Sequence, residues 1–526
     1  MQGQVGEGAT DVDADLEGHR VTASLPRAWP RRSADRQRLP RRRSWADRCL
    51  AILRWGGLAR LLPATTTVNR YLFTPLRACC RRAGQNGLPV RTSMKLHFIF
   101  PRWQKLLESR RDLAETLSGY QIGDFQMAGL GACTAAGAVP AGHSVTLVDQ
   151  HVAPVDTSVQ ADLVCLSFFT PQATAAYQIA DDFRAQGVKV LAGGIHPSVM
   201  PDQTLEHCDA VVQGPVEGLW ETILADLAAG RLKRRYQGAS AAPFATPRRD
   251  LFQHSKYLRT GIVQISRGCH FDCSFCVVPS HGGQRVVPRP IDEVLTDIIE
   301  LPYGSFFFGD ENLLFPDAAN REYRRELLSK MAERGLRKVA FTANYPHFVT
   351  APKADDLELL AAARVRQIYL VAGLKRPLCD ELPDPQLVAR VQQLREHGIH
   401  TFASFYLGND DDPAPVEPLI NEFCERTDTN IAEFIIHTPY PGTAAFTELD
   451  RAGRIIDRTW EHYNGANVVF EPLHESRESL LDRYISLWRA FYEPITPAEM
   501  RRRYMRGFGR GVFGVDRRVA GRPDGT

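Results

Sequence analysis

Ser266-Arg-Gly-Cys269-His-Phe-Asp-Cys273-Ser-Phe-Cys276 sets three thiols in a Cys-x3-Cys-x2-Cys spacing, directly after the apolar run Gly261 to Ser266. The run has the length and composition of a buried strand, so the cysteines belong to the loop that follows it. One such loop can wrap a single 4Fe-4S cube, and three thiolates for four irons leave one iron open to a further ligand. Two other readings stand beside this one. A zinc site would need a fourth Cys or His, and His270 is so close to Cys269 that a tetrahedral site would be strained. Three incidental core cysteines are the other alternative, weakened by their place after a barrel-type strand, where catalytic groups usually sit.

Outward from this loop, apolar runs and helical patterns alternate in two series, which predicts an α/β protein with two parallel sheets. The second series has strands near Gly261 to Ser266, Ser305 to Phe308, Lys338 to Ala343, Arg366 to Ala372, Thr401 to Leu407 and Ala432 to His437. Helical patterns separate them, so residues 255–446 are predicted to form a partial (β/α)6 barrel rather than a complete eight-fold one. The first series has strands at Met94 to Phe100, Ser144 to Val148, Asp162 to Phe168, Val188 to Leu191 and Ala210 to Val212. It predicts a Rossmann-like, doubly wound domain over 94–235, with Gly193-Gly-Ile-His-Pro197 in a loop at a strand's carboxyl end, where such sheets bind ligands. Leu232 to about His254 reads as a linker, and 447–526 as a helical region ending in an Arg- and Gly-rich tail.

Charge is unevenly spread. Residues 1–93 hold 17 arginines, no lysine and 7 acidic groups, a charge of +10, which leaves −7 for the other 433 residues of a chain whose net charge is +3. The domains after Met94 are therefore not a basic nucleic-acid platform. Within the leader, Arg54 and Arg60 interrupt the apolar run from Leu50 to Leu62, and no stretch of the chain reaches the ~18 apolar residues of a spanning helix. The chain reads as cytoplasmic. Its functional part begins at Met94, or else the leader is a disordered or partly helical arm. Eleven cysteines, an odd count with no secretory signal, argue for reduced thiols. Cys165 and Cys424 read as small core residues.

At the cluster loop the chain resembles the radical S-adenosylmethionine (SAM) superfamily. More narrowly, it is similar to the branch with an amino-terminal cobalamin-binding domain, which includes hopanoid methylases, antibiotic C-methyltransferases, P-methylases and the anaerobic Mg-protoporphyrin ester cyclase. The resemblance spans roughly Met94 to Tyr492. It is carried by Gly193 to Pro197, Val212-Gln-Gly-Pro-Val-Glu217, Arg267 to Cys276, Phe308-Gly-Asp-Glu-Asn312, Phe405-Tyr-Leu-Gly408 with Asp410 and Asp412, and Thr438-Pro-Tyr-Pro-Gly-Thr443 followed by Gly453-Arg-Ile455.

That resemblance implies a 4Fe-4S cluster on Cys269, Cys273 and Cys276, SAM chelating the open iron, and cobalamin near Gly193 and Gly194. It implies that Phe275 packs by the SAM adenine, that Asp310 or Glu311 accepts from the SAM ammonium, and that Ser404 and Gly408 line the adenosyl pocket. The partners implied are a small-molecule substrate and an electron donor such as flavodoxin or ferredoxin. The activity implied is methyl transfer to an unactivated carbon or phosphorus, with oxidative cyclisation or rearrangement as the alternative and a cobalamin or redox sensor behind both. Two departures stand out. Lys375 occupies the place where many relatives carry an acidic residue, and it could meet an anionic substrate instead. An Asp-x-His-x-x-Gly signature, whose His ligates cobalt, is absent between the first strand and Phe125. His143 and His196 read as loop or capping residues rather than ligands.

Overall fold

The computed structural model describes residues 93–117, 129–252, 257–310, 312–313, 318–350, 353–412 and 415–507. The Arg-rich leader, Cys49, Cys79, Cys80, Glu311 and most of the carboxyl-terminal tail lie outside them, so the expectations for those residues have no structural counterpart. Among the described residues no helix is long and apolar enough to cross a membrane.

The first sheet is built from β1 (Lys95–Phe100), β2 (Ser144–Asp149), β3 (Leu163–Ser167), β4 (Lys189–Gly193), β5 (Ala210–Gln213) and β6 (Arg235–Gln237), all parallel, in the order β2-β1-β3-β4-β5-β6. β3, Leu-Val-Cys-Leu-Ser, is buried over its first four residues, as a strand covered on both faces must be. The strand order reverses between β1 and β3, which opens a crevice at their carboxyl ends. β6 corrects the linker expectation. Arg235-Tyr-Gln is charged and short, so it has no strand periodicity, yet it pairs with β5 from Val211 to Gln213 and buries Tyr236.

The second sheet comprises β7 (Thr260–Val263), β10 (Ser305–Phe308), β11 (Val339–Asn344), β12 (Val365–Ala372), β13 (His400–Leu407) and β14 (Ala432–Ile436), each beside its sequence neighbour and parallel to it. This is the partial barrel. One face carries Phe306, Phe308, Ile368, Leu370, Ala403 and Phe405 into the main core, while alternate residues look into the barrel. Between β7 and β10 a small antiparallel pair, β8 (Ser266–Arg267) and β9 (Val287–Pro288), brackets the cysteine loop. Both sheets belong to one compact unit.

The region after β14 is helical at Ala444–Arg451, Arg477–Tyr492 and Pro497–Gly507. The first two begin where Thr443 and Ser476 accept from Phe446 N (3.2 Å) and Ser479 N (3.1 Å). The stretch between the first two helices is mostly irregular, with an Ile455–Phe470 bridge, within a carboxyl-terminal region that is helical as its sequence predicts.

Candidate functional site

The cysteine loop is tied down at its root and at its exit. Gly268 has φ +83°, and a Cβ there would lie 2.4 Å from Arg285 O, so only glycine lets the two limbs approach. Cys269 N donates to Gly283 O (3.0 Å) and Cys276 N to Cys273 O (3.0 Å). From the far side of the barrel, Ala445 N donates to Ser274 O (2.9 Å), and Ser280 Oγ donates to Gly442 O (3.2 Å). All three thiols are half-buried and outside any disulfide. They contrast with Cys133, Cys208 and Cys424, which are buried and whose thiols burial pushes up to about 12.

The first domain grips the same loop. Arg267 donates from Nη2 to Glu217 Oε1 (2.5 Å) and from Nη1 to Ala242 O (3.1 Å), with its guanidinium 4.6 Å from the centre of the Phe244 ring. Both members of the ion pair are buried. The segment expected to be a linker is thus a strap packed between β5's loop and the cysteine loop. On the exit side, Ser198 Oγ donates to Gly194 O (2.7 Å), accepts from Gly214 N (3.0 Å) and lies 3.0 Å from His281 Nδ1. Since the hydroxyl proton is spent on Gly194, Nδ1 of His281 carries the proton of that contact. Burial first, and Arg267 second, bring the His281 pKa down to about 4, so the ring is neutral at physiological pH.

A cavity of about 880 Å³ runs between the two sheets. Its first wall is the strand-end region of the first domain, with Phe100, Ser167, Gly193, Gly194 and Gly214. Its second is the barrel interior, with Phe307, Phe341, Gln367, Tyr369 and Phe402. The root and exit of the cysteine loop, Ser266 to Gly268 and Val278 to Gly282, contribute to the same lining through Ser266, Arg267, Gly268, Val278, His281 and Gly282.

The residues singled out from sequence fall into two groups. Gly193 and Gly194 line the cavity; a Cβ on Gly193 would meet nothing closer than 3.9 Å, whereas Gly194 has φ +103° and would press a Cβ to 2.8 Å from Phe168 O. Phe275 packs its ring 5.9 Å from that of Tyr345. Asp310 lines the cavity, but its carboxylate is engaged with the turn that launches the cysteine loop: Oδ2 accepts from Ile265 N (2.8 Å) and Oδ1 from Ser266 Oγ. These two bonds anchor the turn from which the loop departs. Burial pushes that carboxyl up, against Arg324 and these hydrogen bonds.

Ser404 and Gly408 do not line this cavity. Ser404 is fully buried and donates to Glu433 Oε1 (3.0 Å), while a Cβ at Gly408 would lie 2.7 Å from Leu480 Cδ2 of the terminal helix. Lys375 holds its Nζ 4.4 Å from the centre of the Phe271 ring, in the cysteine loop. His143 accepts from Met94 N (3.2 Å). His196 is buried between Tyr177 Oη (2.9 Å) and Thr170 Oγ1 (3.1 Å), with its pKa lowered to about 3 by burial. Both serve structure, His196 in the core rather than in a loop.

Comparison with known proteins follows the same division. Residues 124–224 match the B12 binding domain family and residues 263–372 the radical SAM superfamily. The chain is an enzyme that combines a B12-binding domain with a radical SAM domain. Among its relatives, the bacteriochlorophyllide d C-12(1)-methyltransferase of Chlorobaculum tepidum is 29% identical over 372 residues, 66% of this chain and 79% of that protein. The C-8(2)-methyltransferase of the same organism is 28% identical over 368 residues, 64% and 80% of the two chains. The anaerobic magnesium-protoporphyrin IX monomethyl ester cyclase of Rubrivivax gelatinosus is 25% identical over 411 residues, 69% and 72% of the two chains.

The cofactors of this radical SAM enzyme are a 4Fe-4S cluster, SAM and cobalamin. The residues suit them. Among the described residues no three Cys, His, Asp or Glu side chains converge as ligands of one metal ion would. The thiolates of a cube each meet a different iron and surround it instead. For cobalamin, the glycine-lined strand ends supply a broad surface where backbone can approach a large ligand.

Proposed function

We propose that this enzyme transfers a methyl group to a carbon of a flat, mainly apolar ring compound, of the kind that its bacteriochlorophyllide-named relatives methylate. The observation that carries this reading is that one aromatic-lined cavity is bounded by the strand ends of the B12-binding domain, the root of the cysteine loop and the barrel interior. A substrate there is within reach of both cofactor regions, and aromatic walls favour a flat ring. When bound, the cluster with SAM supplies hydrogen-atom abstraction and cobalamin supplies the methyl group.

The chain's own residues divide the remaining work. Cys269, Cys273 and Cys276 hold the cluster, and Arg267 and Asp310 fix the loop's root. Gly193 and Gly194 keep the cobalamin surface free of side chains, while the barrel aromatics exclude water and orient the substrate. Phe275 is placed on the loop to pack against SAM. Reduction is supplied by an external one-electron donor such as flavodoxin or ferredoxin, in the cytoplasm. Oxidative cyclisation is the second reading, favoured by the cyclase among the relatives.

The test is an anaerobic incubation of reconstituted protein with methyl-deuterated SAM and a bacteriochlorophyllide. A product carrying the intact deuterated methyl group supports methyl transfer, and a product of lower hydrogen content without it supports cyclisation.

A further inference from the structure

The barrel end of the cavity contains a buried polar group that none of the chemistry above employs. Gln367, on β12, is 2% exposed and lines the cavity, and its Nε2 has no hydrogen-bond partner among the described residues. A buried amide N–H without an acceptor is costly, so this donor points to a missing acceptor. Two residues on, facing the same way, Tyr369 donates its hydroxyl proton to Glu433 Oε1, which Ser404 Oγ also approaches at 3.0 Å. Tyr369 thus leaves only oxygen lone pairs for the cavity, whereas Gln367 offers an amide donor there, with the buried, unpartnered Thr260 hydroxyl of β7 as the other polar group of this wall.

Aromatic rings flank the pair. Phe341 is the register partner of Gln367 and Phe402 that of Tyr369, the rings of the latter two lying edge to face with centroids 5.2 Å apart. The charged lining residues, Glu217, Arg267 and Asp310, are on the cluster side, and Glu433 lies behind Tyr369. A carboxylate brought to Gln367 would therefore be buried beside a second carboxyl group with no cation among the described lining residues at that end. A neutral carbonyl oxygen has no such penalty.

We propose that Gln367 is a specificity-determining residue that donates a hydrogen bond to a neutral carbonyl on the substrate's ring system, with Tyr369, Phe341 and Phe402 holding the ring around it. This rests on the ring-substrate reading above and names the group that selects among such rings.

The test uses the full chain, anaerobically reconstituted, and two probes that differ by one ring carbonyl, a free-base chlorin and its oxochlorin counterpart. Affinity is read from quenching of Trp103 and Trp220, which both line the cavity. The wild-type protein should bind the oxochlorin about tenfold more tightly. Gln367→Leu and the closer isostere Gln367→Met should each reduce oxochlorin affinity to that of the chlorin and leave the chlorin unchanged. Equal wild-type affinities, the result expected if Gln367 meets only water, would overturn the proposal while leaving the ring-substrate reading standing. A preference that survives in either variant would also overturn it. Failure of both probes to bind would overturn the ring-substrate reading itself.

Discussion

On one side of the cavity Gly129, Gly131, Gly193, Gly194 and Gly214 present backbone; on the other Phe307, Phe341, Phe402, Gln367 and Tyr369 present side chains. At these glycines the strand ends of the first domain can bring backbone against a broad ligand, beside the rings of Phe100, Trp103 and Phe169. The barrel wall is all projection, and its rings and the buried Gln367 amide can distinguish one substrate from another. A fixed cofactor suits the first surface and a selected substrate the second, and the cysteine loop is held by contacts from both sides. Substitutions should therefore separate by wall.

The largest effect belongs to the loop between the walls. Cys269→Ala, Cys273→Ala or Cys276→Ala should each abolish the visible iron–sulfur absorbance and all SAM cleavage, since each thiolate holds one iron. Cys165→Ala, in the first wall, should keep both. A cluster retained at full occupancy in the three single variants would remove the loop from the account.

The next effect tests whether the walls are joined through Arg267 and Glu217. Removing one partner strands the other as a buried charge, so Glu217→Leu or Arg267→Met should cost about 3–5 kcal/mol in denaturant unfolding. The double substitution should recover part of that loss. A cost below about 1 kcal/mol for both single variants would mean that the two domains are joined elsewhere.

Gly194→Ala probes the backbone wall alone. With φ +103° and ψ −168°, and 2.8 Å from a new Cβ to Phe168 O, it should cost about 1–3 kcal/mol and lower cobalamin retention. Iron content should be unchanged. Equal loss of iron and cobalamin would show that the walls do not act separately.

The strand pattern of both walls was legible because a buried parallel strand is an apolar run of fixed length; β10 matches its predicted span and β11 to β14 shift by only a residue at either end. The cysteine loop was legible for a different reason, its spacing being local. What stayed hidden depends on contacts between distant residues: Glu217 meets Arg267 50 residues on, and Ser198 meets His281 83 residues on. β6 was missed because Arg235-Tyr-Gln carries no periodicity of its own. Asp310, Ser404 and Gly408 lie in stretches that carry the family resemblance, but a motif identifies a position and not its hydrogen-bond partners. Glu217 and Arg267 each sit in such a stretch, and opposite charges in two of them were the one available hint of their pairing.

The smallest effect concerns the loop after β12. Glu381 is buried, its Oε2 accepts from Gly373 N (2.9 Å), and burial raises its pKa from 4.5 to about 7. A carboxyl with a raised folded pKa favours folding in its neutral form, so stability falls as pH rises from about 4.5 through 7. Glu381→Gln keeps the acceptor and removes the charge, and should raise stability by about 1 kcal/mol at pH 8, with little change at pH 4. Unfolding curves at the two pH values that shift equally would contradict this.

The central claim is that both cofactor regions serve one substrate in one cavity. Its most direct test is the amount of S-adenosylhomocysteine and of 5′-deoxyadenosine formed when cobalamin-replete, reduced protein turns over a ring substrate. Methyl transfer with hydrogen abstraction at the same substrate predicts that the two rise together in equal amounts, and that both slow in proportion when Gln367→Leu weakens substrate binding. 5′-Deoxyadenosine formed without S-adenosylhomocysteine, in protein shown to contain cobalamin, would contradict it.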